Sequence, residues 1–230
     1  MQPELPIIHF ISLDKLWVET ITSLFAEHPN VTVTHGNIKS LPVENTVFVS
    51  PANSLGYMDG GIDWALSREM FPGVQTKVQL IIQCNGLING FGRRYLPVGS
   101  AFCMQVRSST QLIVAPTMFQ PRDVSHTRNA YWSFLAALSV FAKNGCMEAG
   151  MTLVATGHCC GYGCMNPVES ARQMHAAYID FCAGVGARLD TELAEDAFKV
   201  SFPPSDIDDG SHGRTPEQSS PETKEICIRS

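Results

Sequence analysis

Short apolar runs alternate with amphipathic stretches along most of the chain. IIHFIS (7–12) predicts a first strand. Leu13, Trp17, Ile21, Leu24 and Phe25 then recur at helical spacing and predict a helix over 14–28. VTVTHG (31–36) is β-branched and strand-like. TVFVS (46–50) is a continuous apolar run, as expected of a central strand covered on both faces. GIDWALSREMF (61–71) reads as a helix stopped by Pro72-Gly73, and VQTKVQLIIQ (74–83) as another. SAFCMQVR (100–107) and QLIVAP (111–116) predict two strands joined by a polar turn. Within 125–145, Tyr131, Phe134, Leu135, Leu138 and Phe141 form one stripe of a helix, and Gly145 suits its C-cap. MTLVAT (151–156) predicts another buried strand. Asn166, Pro167 and Glu169 then offer an N-cap, a first-turn proline and a capping-box glutamate. The helix they open carries Ala171, Met174, Tyr178 and Phe181 on one face.

Strands alternating with helices predict an α/β fold, a three-layer α/β/α sandwich around a mixed, largely parallel sheet. The mixture comes from 100–116, where two strands meet across only a short turn. After about Gly186 the pattern gives way to SFPPSDIDDGSHGRTPEQSSPETKE, rich in Pro, Ser, Gly and acid. The expected organisation is one domain over 1–186 and an acidic, flexible tail over 187–230.

Composition refines this picture in three ways. The apolar fraction of 44% is enough for a sizeable core. The net charge of −6 is concentrated late, because 185–230 holds 5 Lys/Arg against 10 Asp/Glu. That balance, with no basic patch elsewhere, argues against direct sequence-specific nucleic-acid binding. No apolar run approaches the roughly 20 residues that cross a bilayer, and MQPELPIIHF lacks the features of a signal peptide. A soluble intracellular protein, cytoplasmic or nuclear and without a membrane partner, is the expectation. Most of the 8 cysteines sit in apolar company and read as reduced core thiols.

The candidate chemistry lies in two loops. PANSLGYMDGGID follows the strand 46–50, and TGHCCGYGCMNP follows the strand 151–156. Both are Gly-rich and both precede helices, the position in which parallel sheets bind ligands. Glycines let the backbone approach a ligand, and helix N-termini add partial positive charge. Two such loops side by side could cradle a diphosphate without a lysine. Neither loop holds the Gly-Lys-Ser/Thr of a P-loop, and the glycines near 157–163 do not have the Rossmann spacing. No cofactor is implied.

VFVSPANSLGYMDGGIDWAL resembles the macro domain signature, in which a buried strand ends in an Ala-Asn motif followed by glycines, an apolar residue, Asp and a helix. HGNIKSLP, LPVGSAF, LIVAPT and ATGHCCGYGCMNPVESARQM are similar to further segments of that family, in the right order over about 31–184. The resemblance implies an ADP-ribose-binding fold, with ADP-ribose or an ADP-ribosylated protein as partner. It implies hydrolysis of a mono-ADP-ribosyl ester, O-acetyl-ADP-ribose or ADP-ribose 1″-phosphate, or else a reader module that binds without chemistry. Residue by residue, Asn53 matches the asparagine that holds the distal ribose, and Gly60, Gly61 and Ile62 match the first phosphate loop. Asp63 matches the aspartate associated with catalysis, assisted by Asn53. Cys159, Cys160, Gly161, Tyr162 and Gly163 match the second loop. Asn37, followed by Ile38, stands where the family usually has Asp beside the adenine amino group. Ser50-Pro51 replaces a common Asn-Ala, and Cys159-Cys160 a common Gly-Thr or Ser-Thr. The double glutamate of poly(ADP-ribose) glycohydrolases is missing, which argues against chain cleavage of that type.

Simpler roles stand beside these. Asp63 could satisfy first-turn amides of its helix, a position expected to keep it ionised. Asn53 and Asn37 could be turn formers, Asp59 a solvated turn residue, and Tyr162 a half-buried aromatic. His158, Cys159, Cys160 and Cys164 lack the spacing of a zinc site, and the arginine that a phosphatase-type thiolate needs is absent nearby.

Overall fold

The structure, a computed structural model, describes residues 5–184, so the tail expected over 187–230 lies outside the described residues. The chain runs β1 (Ile7–Ser12), α1 (Lys15–Leu24), β2 (Val31–His35), a 3-10 turn (Ile38–Ser40), β3 (Thr46–Ser50) and α2 (Gly61–Trp64). A π-helix (Ala65–Met70), α3 (Val74–Asn85), β4 (Leu87–Ile88), β5 (Arg94–Tyr95), β6 (Phe102–Arg107) and β7 (Thr110–Val114) follow. The last elements are α4 (Asn129–Lys143), β8 (Thr152–Ala155) and α5 (Pro167–Cys182). The helix starts follow their capping chemistry. Asp14 accepts the Trp17 amide at 3.0 Å ahead of α1, and Asn166 accepts that of Val168 at 2.9 Å ahead of α5. Glu169 does not close the predicted capping box; its carboxylate instead accepts the Gln173 side-chain amide at 2.9 Å, one turn along the helix. After α4, Gly145 takes φ +69 and donates to the Ala142 carbonyl, as a glycine past a helix end should.

The main sheet has the order β2-β1-β8-β3-β7-β6, parallel throughout except for β6, which pairs antiparallel with β7. The three-layer sandwich around a mixed, largely parallel sheet is thus what the alternation predicted. Period-2 alternation divides the core. Ile8, Phe10, Val47, Val49, Ile113 and Leu153 point into one apolar cluster with α1, α4 and α5. Ile11, Phe48, Leu112, Val114 and Val154 point into the other, beneath the π-helix and α3. With both faces covered, β3 is buried at every position.

Three features of the fold depart from the sequence pattern. The helix expected over 61–71 is one α turn and then a π-helix, in which the Phe71 amide reaches back to the Leu66 carbonyl. Leu13, expected on the buried stripe of α1, is 70% exposed because it belongs to the strand end and not to the helix. The pattern also gave no sign of the small β4–β5 hairpin. Its signal was Asn89-Gly90, a turn dipeptide inside a Gly-rich stretch.

Candidate functional site

The C-terminal ends of all five mutually parallel strands open onto one cleft of about 460 Å³. Its wall takes Ser12 and Leu13 from the end of β1, Gly36 and Asn37 from β2, and Pro51 and Asn53 from β3. Thr117 follows β7, and Thr156 and Gly157 follow β8. This is the edge where open α/β sheets hold ligands. Among the described residues the lining contains no Lys, Arg or His, and its carboxylates are Asp59 and Asp63. An anion held here would be met by main-chain amides and neutral side-chain donors.

The first loop is shaped by Asn53. Its Oδ1 accepts the amides of Leu55 at 3.0 Å and Tyr57 at 3.3 Å, while its Nδ2 donates to the Tyr57 carbonyl at 3.1 Å. The side chain thus ties its own turn together and has one amide hydrogen left for the cleft. Gly60 then enters α2, with the amides of Asp63 and Trp64 both donating to its carbonyl. The amides of Gly61 and Ile62 precede the first helical bond and have no intrahelical acceptor. Gly61 sits at φ +53, where a side chain would be strained. A Cβ on Gly60 would lie 2.6 Å from the Tyr162 ring, so the exposed Tyr162 of the second loop rests on the first.

The second loop turns on Cys159, a non-glycine residue at φ +64. That conformation costs about 1–2 kcal/mol for an L-residue. The Cys159 carbonyl accepts the Met165 amide at 3.1 Å, and the Gly161 carbonyl accepts that of Cys164 at 3.0 Å. Among the described residues, the amides of Cys160, Gly161, Tyr162 and Gly163 donate to no protein acceptor. Four successive free N–H groups in a curled loop form an anion-binding concavity. Cys159, Gly161, Tyr162 and Gly163 line the cleft. Cys160 does not, and its thiol turns behind the loop towards the His158 carbonyl at 3.6 Å. Burial pushes the Cys159 thiol up to about 12, so it is protonated and no nucleophile at neutral pH.

Asp63 departs most from expectation. Its carboxylate makes no bond to the amides of α2; instead the Ser50 hydroxyl, at the buried end of β3, donates to Oδ1 at 2.6 Å. It was expected to stay ionised at a helix N-terminus. Its pKa is instead raised to about 7, chiefly by burial, with Ser50 pulling it down and the Asp59 charge adding to the rise. Asp63 is crowded by protein yet keeps partial surface on the cleft, so a water molecule can reach it. Ser50→Ala is therefore expected to move the Asp63 midpoint further above 7, as read by carbon NMR titration of the carboxyl. An unmoved midpoint would mean that the Ser50 bond has no hold on the proton.

Asn37 lines the cleft at the end of β2, but its Oδ1 already accepts the Lys39 amide at 3.0 Å, and Ile38 is buried beside it. Residue patterns did not single out Thr117, Met118 or Thr156, which close the floor. Ser50 carried a usable signal, since a polar residue ending an otherwise apolar buried strand must find a partner. His158 is fully buried against Phe134, and burial lowers its pKa to about 3, so it is a neutral core residue. Among the described residues no group of three His, Cys, Asp or Glu side chains is placed to hold a metal ion, and no helix is long and apolar enough to cross a membrane.

The fold and site define an α/β/α protein with a cleft bordered by unbonded main-chain amides at the carboxyl edge of its sheet. Among solved structures, the chain is similar to macrodomains. The macrodomain of Mycobacterium tuberculosis DarG matches with 18% identity and TM-score 0.49, over 64% of this chain and 89% of that one. The Oceanobacillus iheyensis macrodomain with ADP matches at 19% and 0.45, over 60% and 70%. A mutant of the latter with ADPR matches at 16% and 0.49, over 64% and 75%. At these identities and TM-scores the likeness assigns no ligand or activity to this chain. No family model and no curated protein matches the sequence.

Proposed function

We propose that the cleft binds ADP-ribose and hydrolyses an ADP-ribosyl derivative at the distal ribose. The observation that carries this reading is the pairing of two Gly-rich loops with free amides across a cleft that has no cationic side chain. A diphosphate carries two charges and many acceptors, and suits such donors. The sequence motifs at the same loops resemble those of macro domains. The amides of Gly60, Gly61 and Ile62 face one side of the diphosphate, and those of Cys159 to Gly163 the other. Asn37 and Ile38 border the adenine, and the remaining Asn53 amide hydrogen meets a hydroxyl of the distal ribose.

In the chemical step a water oxygen bonds to C1″ as the bond from C1″ to its substituent breaks. The substituent leaves with the bonding electrons. Asp63 accepts the proton released by the water, as a base whose pKa of about 7 suits neutral pH. For an ester the products are ADP-ribose and a carboxylate, and Asp63 then gives its proton to solvent, which restores the base. Anchoring the diphosphate fixes C1″ against Asp63 and the water.

One observation favours a reader in place of an enzyme: the Asn53 side chain is largely committed to its own turn. The test is direct. The protein is incubated with a mono-ADP-ribosylated target and with ADP-ribose 1″-phosphate, beside Asp63→Ala. Release by the natural sequence and not by the variant is the expected result. Calorimetric binding of ADP-ribose without release would assign the reader role, and no binding at millimolar nucleotide would overturn both.

A further inference from the structure

The β4–β5 hairpin stands beside the cleft and the reaction makes no use of it. Its tip is built firmly: the Asn89 amide donates to the Arg93 carbonyl, and Asn89 Oδ1 accepts the amides of Phe91 and Arg93, each at 3.0 Å. Yet this firm turn holds Phe91 out at 96% exposure, with Ile88 at 60% and Leu87 at 50%. A rigid turn that presents three large apolar side chains to water is a surface waiting for a partner.

Two contacts join the hairpin to the cleft. Arg93 Nη2 donates to the Tyr57 hydroxyl at 3.2 Å, and Tyr57 is part of the cleft wall. The Tyr95 ring meets that of Phe119 at 5.5 Å, in the loop whose Thr117, Met118 and Pro121 also line the cleft. The next residue of that loop, Arg122, is exposed. Asp123 beside it turns its carboxylate onto the Ser125 amide at 2.8 Å. The cations of the hairpin and this loop are Arg93, Arg94 and Arg122, and neither the hairpin (87–95) nor the stretch 117–122 holds an Asp or Glu. Arg94 donates to the Gly86 carbonyl at 2.8 Å; Arg93 keeps guanidinium donors beyond its Tyr57 bond, and Arg122 is exposed next to the cleft residue Pro121.

We propose that the hairpin and the 117–122 loop form a docking surface for an acidic polypeptide segment, the flank of a protein side chain that carries ADP-ribose. The proposal rests on the ADP-ribose reading of the cleft and adds the partner. Apolar side chains of the segment cover Phe91 and Ile88, and its carboxylates pair with Arg93 and Arg122. A nucleic-acid strand fits less well, since it needs closely spaced cations along its phosphates and finds two here, Arg93 and Arg122.

The test uses the full chain and two ligands: free ADP-ribose, and ADP-ribose joined through a hydrolysis-resistant linkage to a peptide rich in Asp, Glu and Leu. The conjugate is expected to bind about tenfold more tightly than the free nucleotide, a gain that falls with added salt. The pair Phe91→Ser and Arg122→Ser is expected to remove the gain and leave the dissociation constant for ADP-ribose within about twofold, because both side chains project from the surface. A conjugate no tighter than ADP-ribose, or a gain that survives the substitutions, overturns the docking surface while the cleft reading stands. A gain shown by an ADP-ribosylated oligonucleotide in place of the peptide, or a dimer that Phe91→Ser dissolves, overturns it in favour of those partners. Failure of both ligands to bind overturns the cleft reading as well.

Discussion

Asp63→Asn is expected to cut turnover sharply while making the protein more stable above neutral pH. The two effects share one cause. Asp63 in the folded protein titrates near 7, against an ordinary value of 3.8. Between those values the native state holds a proton that the unfolded chain has released. Stability therefore falls as pH rises through that window, and the loss is complete above about 7. Asparagine never ionises, so its advantage over the natural residue grows from pH 4 to pH 8. Water in the cleft softens the penalty, and a gain on the order of 1–3 kcal/mol at pH 8 is the expected size. Denaturant unfolding at pH 4 and pH 8 measures it; equal differences at the two values would show that the buried charge carries no such cost. Turnover by the natural protein is expected to rise with pH to a plateau above about 7 as the base form fills. The variant loses about 10²–10⁴-fold, the usual contribution of a positioned base. A profile flat from pH 5 to 9 would remove Asp63 from that role.

The second large effect concerns Gly163. A Cβ there would lie 2.5 Å from the Cys159 carbonyl oxygen, 3.0 Å from its Cα and 2.9 Å from a Val124 methyl. Two of those neighbours are main chain and cannot rotate away. Gly163→Ala must therefore displace the curl that aims the amides of Cys160 to Gly163. Losing two or more hydrogen bonds to a charged group, each about 1.5–3 kcal/mol, weakens ADP-ribose binding by about 10²–10⁴-fold. The fold is expected to survive, since the loop lies outside both core clusters except at Cys159 and Met165. Gly60→Ala is the control, because its Cβ meets only the movable Tyr162 ring and should cost far less. Calorimetry on the two variants decides the matter, and similar losses for both would mean that the second loop has no special part in binding.

The sheet was legible because its strands are short apolar runs and its helices carry single stripes. Phe48 between Val47 and Val49 reads as buried on both faces, and it is. The two Gly-rich loops were legible as loops through their composition and their place after buried strands. What escaped was set by tertiary contact. The π-helix depends on an amide reaching one carbonyl further back, which no side-chain period announces. The state of Asp63 depends on burial and on a hydroxyl 13 residues earlier in the chain, neither visible locally. Leu13 had the right spacing for the helix but the wrong side of its cap. The β4–β5 hairpin was hidden because two-residue strands carry almost no alternation to read.

The absence of lysine, arginine and histidine from the cleft wall has a consequence for how much the amino-acid sequence can drift. Peptide groups are common to every residue but proline, so in the proposed binding mode most positions around the anion can change letter without altering what the ligand meets. The constraint falls instead on the few places where a methyl group would not fit. Such a grip can outlast the wording of the motif that first encoded it.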